Sequence, residues 1–250
     1  MLTEERHSLI LDKLKRESVV YVNDLVKLLE TSESTIRRDL TQLDKAGLLK
    51  KVHGGATSIN SNFIYTKDFE FEIRKEINTE EKIKIAKYAA SLIENDDFVY
   101  IDSGTTTDLL IDFIECRDAT FVTNGIGHAK KLIQKNFNTY ILGGELKLKT
   151  EAIVGVEAIN SLKKYNFTKG FFGTNGIDLD RGFTTPDLRE GMVKEEAIKR
   201  SKISYILSDD SKFNKISAIT FGEIDQSKII TTKVVDTNYI NVTQIMEVDK

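Results

Sequence analysis

Across residues 1–57 apolar positions recur at helical spacing between capping and turn residues, which predicts three short helices followed by a hairpin. Thr3 is placed to cap the first helix, with Leu9, Ile10 and Leu14 inward. A β-branched run, Val19-Val20-Tyr21-Val22, precedes a second cap candidate, Asn23, and Leu25, Val26, Leu28 and Leu29 follow it. The turn Glu30-Thr31-Ser32 opens a third helix in which Ile36, Leu40 and Leu43 form one buried stripe, and Gly47 stands where a left-handed residue ends a helix. Its other face carries Ser34, Thr35, Arg37, Arg38 and Thr41. Leu48 to Val52 followed by His53-Gly54-Gly55 reads as a hairpin with a glycine turn, so the whole predicts a winged helix-turn-helix.

The segment from Thr57 to Tyr65, TSINSNFIY, is polar and weakly periodic, and the domain junction is expected there. The expected division is a winged head over 1–57, a linker or connector helix over 58–78 and a larger domain over 79–250. Thr79 can cap a helix with Ile83, Ala86, Ala89, Ala90 and Ile93 inward. Short apolar strands then alternate mostly with helix-length segments: Phe98–Ile101, Thr120–Thr123, Tyr140–Leu142, Gly170–Phe172, Tyr205–Leu207 and Ile229–Thr231. That alternation predicts an α/β domain built on a parallel sheet with crossover helices.

Composition narrows the classes. With 40% apolar residues in 250, the chain can bury an ordinary core, which excludes a disordered tail protein. A net charge of −3 announces no bulk attraction to a polyanion or a membrane. No apolar stretch approaches the ~20 residues that span a bilayer. One cysteine, Cys116, forms no internal disulfide, and the charged start MLTEERHSLI is unlike a secretory signal, so a cytoplasmic protein without a membrane partner is expected. Three scattered histidines and a single cysteine suggest neither a catalytic nor a metal site.

Basic charge is present locally. Residues 1–57 hold ten Lys and Arg against nine Asp and Glu, but residues 34–57 alone carry +3, on the helix and hairpin that would face a duplex. A helix fits the major groove with its N-terminal residues at the base edges, so Ser34, Thr35, Arg37, Arg38 and Thr41 are candidate readers; Lys50, Lys51 and His53 on the wing would meet phosphates. The same pattern also fits a solvated face on a protein-interaction module.

A second candidate site follows the strand Phe98–Ile101. There Asp102-Ser103-Gly104-Thr105-Thr106-Thr107 leads into a helix, and free amides, the helix dipole and threonine hydroxyls favour a phosphate. No Lys-Ser/Thr pair makes it a nucleotide-hydrolysing loop, and a plain strand-to-helix turn is the bland alternative. Asn124 and Asn175, in Asn-Gly turns after two other strands, would share the same rim and suit sugar hydroxyls, although Asn-Gly is also a common turn dipeptide. Lys212, after Tyr205–Leu207, can pair with a phosphate or with Asp209. Glu190 and Glu195 read as helix-surface carboxylates.

The string SESTIRRDL over Ser32–Leu40, with Glu4-Glu5-Arg6-His7 before it and Val52-His53-Gly54-Gly55-Ala56 after it, resembles the signature of the DeoR family of bacterial transcriptional regulators. The resemblance covers the chain, and the VTNG, ILGG, GTNGID and GFTTPD strings look most like the family's fructose-operon repressor branch. It implies a sensor domain related to ribose-5-phosphate isomerases, released from operator DNA by a phosphorylated sugar such as fructose 1-phosphate, with no other cofactor. It implies a homo-oligomer, dimer or tetramer, and places Arg74 and Lys82 beside Asp209 and Lys212 in effector binding. Where the isomerases carry their acid and lysine strings, this chain reads Gly173-Thr174-Asn175-Gly176 and Arg181-Gly182, so binding without turnover is expected. An isomerase-like enzyme, and a regulator of another carbohydrate operon, are the alternatives.

Overall fold

The computed structural model describes residues 3–17, 19–46, 48–57, 64–66, 71–234 and 236–248. Two compact units result, Met1–Phe63 and Ile64–Lys250. Gly47 and most of the expected linker, 58–63 and 67–70, lie outside the described residues.

In the first unit α1 (Thr3–Glu17), β1 (Val19–Tyr21), α2 (Val22–Leu29) and α3 (Glu33–Lys45) precede the wing strands β2 (Lys50–Val52) and β3 (Gly55–Thr57). The three strands form one antiparallel sheet in the order β1-β3-β2. Ile10, Leu14, Leu25, Leu29, Ile36, Leu40 and Leu43 close a single core. Leu9, expected inward with Ile10 and Leu14, is 40% exposed, because α1 turns Ile10 and Leu14 to the core and leaves Leu9 at its flank. Asn23 does not cap α2: the helix already starts at Val22 from an extended Tyr21, without a side-chain cap. Ser32 does cap α3, its hydroxyl accepting from the Thr35 amide. Gly55 is required by close approach, since a Cβ there would lie 2.0 Å from the Val20 carbonyl oxygen.

Asp39 sits on the inward side of α3, and Arg6 of α1 grips it with Nε at 2.8 Å and Nη2 at 3.0 Å, while His7 Nε2 approaches at 3.2 Å. Burial alone would push this carboxyl up; the hydrogen bonds and charge of Arg6, with a smaller contribution from His7, outweigh it and hold it below the ordinary carboxylate range.

The second unit opens with β4 (Ile64–Tyr65), which pairs with a strand near the far end of the chain, and α4 (Phe71–Lys75), so residues before 79 already belong to it. Then follow α5 (Thr79–Ser91), β5 (Phe98–Ile101), α6 (Thr105–Asp112), β6 (Thr120–Thr123), α7 (Ile126–Gln134), β7 (Asn138–Ile141), the hairpin β8 (Glu145–Lys147) and β9 (Ala152–Val154), and α8 (Val156–Leu162). Next come β10 (Phe167–Gly173), β11 (Gly176–Asp178), β12 (Gly182–Thr185), α9 (Leu188–Lys199), β13 (Ser201–Leu207), β14 (Ile216–Ser217), β15 (Ile219–Gly222), β16 (Lys228–Thr231) and β17 (Ile245–Glu247). Thr79 is the first residue of α5 rather than its cap, which is Asn78, and Ile85 rather than Ile83 is fully buried.

Seven parallel strands run in the order β17-β16-β13-β10-β5-β6-β7. Alternate residues feed two cores, one with Tyr100, Val122, Phe172 and Ile206 against α8 and α9, the other with Ile101, Phe121, Phe171 and Ile230 against α5, α6 and α7. Burial on both faces explains why the strands read as continuous apolar runs. A three-stranded antiparallel sheet, β11-β12-β15, was not expected from the sequence, where Gly176 at its start reads as part of a turn. Among the described residues no helix is long and apolar enough to cross a membrane.

Because the Asp39 carboxyl is held below its ordinary range, its contribution is complete above the unfolded value near 4 and is lost as pH falls through the folded value. In full-length Asp39→Asn, amides of α1 and α3 should exchange hydrogen faster at pH 7 than in the wild type while those of β5 and β10 do not change, and the difference should shrink below about pH 4. Equal exchange at pH 7 would show that the clamp does not hold the head together.

Candidate functional site

The recognition face of the head is set by α3. With Ile36, Asp39, Leu40 and Leu43 inward, Ser34, Arg37 and Arg38 are exposed and Thr35 is half-buried. These side chains are not equally available. Arg37 is held by Glu33 one turn earlier, Nη2 at 2.6 Å and Nε at 2.8 Å, whereas Arg38 makes no ion pair among the described residues. The Ser34 and Thr35 hydroxyls each lie 2.9 Å from that of the cap, Ser32. Thr41 donates to the Arg37 carbonyl and accepts from Lys51 at 2.6 Å, so it ties helix to wing instead of standing free as a reader. Lys50 and His53 are exposed on the wing, and the Lys51 amide donates to Asp44.

In the second unit, the order β13-β10-β5-β6 puts four strand-end turns side by side at the C-terminal rim. Asp102, 1% exposed at the end of β5, accepts from the Gly173 amide at 3.1 Å and is paired with Lys194 of α9. Lys194 also donates to the Gly173 carbonyl at 3.0 Å and lies 5.4 Å from the centre of the Phe221 ring. The two turns touch through their glycines, since a Cβ on Gly173 would meet Gly104 Cα at 3.7 Å. Thr107 accepts from the Gly104 amide and donates to the Asp102 carbonyl, closing the turn. The amides of Thr105, Thr106 and Thr107 find no acceptor among the described residues, and with Ser103 they form the mouth of α6.

A second group of predicted residues gathers beside this mouth. Lys82, buried on α5, donates to Thr105 Oγ1 at 3.1 Å and to the Arg74 carbonyl. Burial lowers its ammonium to a pKa of about 8, the charges of Lys212 and Arg74 push the same way, and Asp209 and Glu81 oppose them in part. Asp209 is itself buried; burial pushes its carboxyl up, but Lys212 and hydrogen bonds from Ser211 and Asn78 hold it below the usual range. The charges of Lys212, Arg74, Asp209 and Glu81 thus all reach Lys82, beside three amides that find no acceptor among the described residues. That arrangement can take up an anion.

Other predicted residues have different tasks. Asn124 is 2% exposed, and its amide group is used internally: Oδ1 accepts from Tyr100 and from the Ser103 amide, both at 3.1 Å, and Nδ2 donates to the Ile153 carbonyl at 3.3 Å. It therefore positions the turn at Ser103. Asn175 stays at the rim, half-buried, with Oδ1 accepting from Thr185. Glu190, read as a surface carboxylate, is buried and accepts from Lys147 and Thr150, because the β8–β9 hairpin folds against α9; Glu195 is exposed and pairs with Lys199.

Two residues escaped the sequence reading. Lys194 could have been found as a lysine in the inward stripe of α9, between Val193 and Ala197. His128 has no such signal; it is buried beneath the turn, with Nε2 3.0 Å from the Gly104 carbonyl, and burial pushes it below its ordinary range, so the ring is neutral at pH 7. Among the described residues no group of three or more His, Cys, Asp or Glu is placed to hold a metal ion.

Comparison with known proteins agrees with this two-part construction. Residues 6–62 match the DeoR-like helix-turn-helix domain and residues 77–234 the DeoR C terminal sensor domain. The chain is 43% identical over 242 residues to a Bacillus subtilis protein named as the uncharacterized HTH-type transcriptional regulator FruR, covering 96% of this chain and 95% of that one. It is 37% identical to the B. subtilis HTH-type transcriptional regulator IolR, over 88% and 87% of the two chains, and 34% identical to the lactose phosphotransferase system repressor of Staphylococcus aureus, over 93% and 97%. Ribose 5-phosphate isomerase A from Methanocaldococcus jannaschii aligns over 54% of this chain and 55% of its own at 14% identity, with a TM-score of 0.41. The chain belongs to the DeoR family of transcriptional regulators, with a helix-turn-helix head for DNA and a sensor domain for a small molecule.

Proposed function

We propose that the chain is a cytoplasmic repressor of an operon for sugar uptake and metabolism, and that a phosphorylated sugar at the rim of the second unit releases it from its operator. The observation that carries this reading is Lys82, buried against Thr105 and within reach of the charges of Lys212, Arg74 and Asp209, beside the amides of Thr105 to Thr107, which find no acceptor among the described residues. A phosphate dianion would meet the Lys82 ammonium and the amides there, and Ser103, Gly104 and Thr106 would line its oxygens. Fructose 1-phosphate is the effector suggested by the resemblance to the fructose-operon branch. A binding role rather than isomerisation is favoured by the rim itself. Glycines stand at 173 and 176, and the two rim carboxylates are held, Asp102 by Lys194 and Asp209 by its hydrogen bonds. Release follows from linkage: an effector that favours the DNA-incompetent arrangement weakens DNA binding by the factor by which DNA weakens effector binding.

The head can be tested by gel-shift titration against a duplex enriched from random sequence by the wild-type protein. Arg38→Ala should cost about 1–3 kcal/mol, the scale of a bidentate base contact, and Arg37→Ala should fall at the lower end, since its guanidinium must first leave Glu33. Wild-type affinity in both variants would remove α3 from the reading role.

The rim is tested by effector response. Lys212→Ala should bind the same duplex as the wild type but stay bound when fructose 1-phosphate is added; normal release would sink the pocket.

Calorimetric affinity for fructose 1-phosphate should fall as pH rises above about 8, where Lys82 loses its proton. The phosphate is already dianionic there, so the step belongs to the protein. Lys82→Met should bind more weakly with a flat profile between pH 7 and 9, and a flat wild-type profile would count against Lys82 as an effector ligand.

A further inference from the structure

Helix α9 starts at the rim and runs away from it, because β13 follows it and lies parallel to β10. Glu190 therefore stands one turn above Lys194, on the same inward face of the helix. Its side chain is 7% exposed, yet only half of its carboxylate is used. Oε1 accepts from Lys147 at 3.1 Å and from Thr150, whereas no donor among the described residues reaches Oε2. Oε2 is also not among the unpartnered side-chain atoms that are sealed from solvent. A carboxylate otherwise removed from water thus keeps one oxygen open to a donor from outside the protein.

The neighbours of Glu190 tie it to the mouth of α6 from two sides. Lys194, one turn on, binds Asp102 and the Gly173 carbonyl, so this face of α9 meets the turns after β5 and β10. Gly104 and Gly173 approach each other there and put no side chain of their own between the mouth and the helix. On the other side, Thr150 leads into β9, where the Ile153 amide donates to the Asn124 carbonyl, and Asn124 in turn holds the Ser103 amide. Asn175 is bonded to Thr185, which packs at the start of α9: a Cβ on Gly191 would lie 3.4 Å from Thr185 Cγ2.

We propose that Glu190 reads the sugar end of the effector, its Oε2 accepting hydroxyl hydrogens from the part of the molecule farthest from the phosphate. The assignment rests on the phosphate reading of the rim and adds to it a rule of selection. A carboxylate accepts from hydroxyls and repels a second carboxylate, so the site takes neutral phosphorylated sugars and rejects phosphorylated sugar acids. The charges around Glu190 do not reverse that rule. Lys147 and Arg189 are bound among Glu145, Asp187 and Glu190, which leaves one negative charge in excess.

The test is calorimetry on the full-length chain with fructose 1-phosphate, 6-phosphogluconate and inorganic phosphate. The wild type should bind the sugar phosphate at least about tenfold more tightly than either of the others, and in Glu190→Gln both ratios should fall by about that factor. A merely structural loss would weaken all three ligands together and leave the ratios standing. Thr150→Val, which cuts the tie to the hairpin but keeps the carboxylate, should preserve both ratios; their loss there would assign them to the hairpin and overturn the proposal. Wild-type ratios in Glu190→Gln overturn it equally. The bound sugar should be recovered unchanged, since conversion to an isomer would make Glu190 a base. A wild type that binds none of the three overturns the reading of the rim and this proposal with it, whereas one that binds all three alike overturns this proposal alone.

Discussion

The carboxylate of Asp102 is almost wholly removed from water, and the rim of the sensor domain is arranged so that this charge stays satisfied. A buried carboxylate without a partner costs several kcal/mol, so the end of β5 requires both a hydrogen bond and a counter-charge within reach. The Gly173 amide provides the first and Lys194 the second. Because the same ammonium also binds the Gly173 carbonyl, the turns after β5 and β10 are drawn into glycine-to-glycine contact. His128 and Asn124 brace the turn from the other side, through the Gly104 carbonyl and the Ser103 amide. The amides of Thr105 to Thr107 are therefore held ready before any ligand arrives.

Lys82 and its neighbours follow the opposite logic. Asp102 and Lys194 satisfy each other, whereas Lys82 is buried with only Thr105 Oγ1 and the Arg74 carbonyl as hydrogen-bond acceptors among the described residues, and it feels the cations Lys212 and Arg74 as well as the carboxylates Asp209 and Glu81. Its lowered pKa comes first from burial and then from the neighbouring cations. A rigid, neutral turn next to an electropositive cluster suits a ligand with a dianionic end, and α4, whose Arg74 carbonyl accepts from Lys82, would feel its arrival first.

Legibility divided along physical lines. The stripe of Ile36, Leu40 and Leu43 and the apolar runs of the parallel strands were readable, because burial over several turns or on both faces leaves a periodic signature. Leu9 was misplaced because a helix has several apolar neighbours, and only its packing partners decide which of them turns inward. Asn124 looked like a ligand contact for its chemistry, yet its hydrogen bonds are consumed by groups 21 to 29 residues away in sequence. Glu190 looked solvated because nothing in its local string announces that the β8–β9 hairpin will cover it. Of the rim residues, Asp209 and Lys212 were legible as a charged pair after a strand, whereas Lys82 was legible only through family resemblance.

The sequence by itself determined the two-part construction, the winged head, the parallel α/β class and the family, since these rest on local periodicity and contiguous strings. Tertiary structure alone decided which polar residues are bound up inside: Asn124 by Tyr100, Ser103 and Ile153, Glu190 through Oε1 by Lys147 and Thr150 of the β8–β9 hairpin, and Lys194 under the rim by Asp102, where no motif pointed. The reason is that hydrogen-bond and charge satisfaction is a long-range property. A side chain's availability depends on what the rest of the fold has already placed beside it, and that partner is usually distant in the chain.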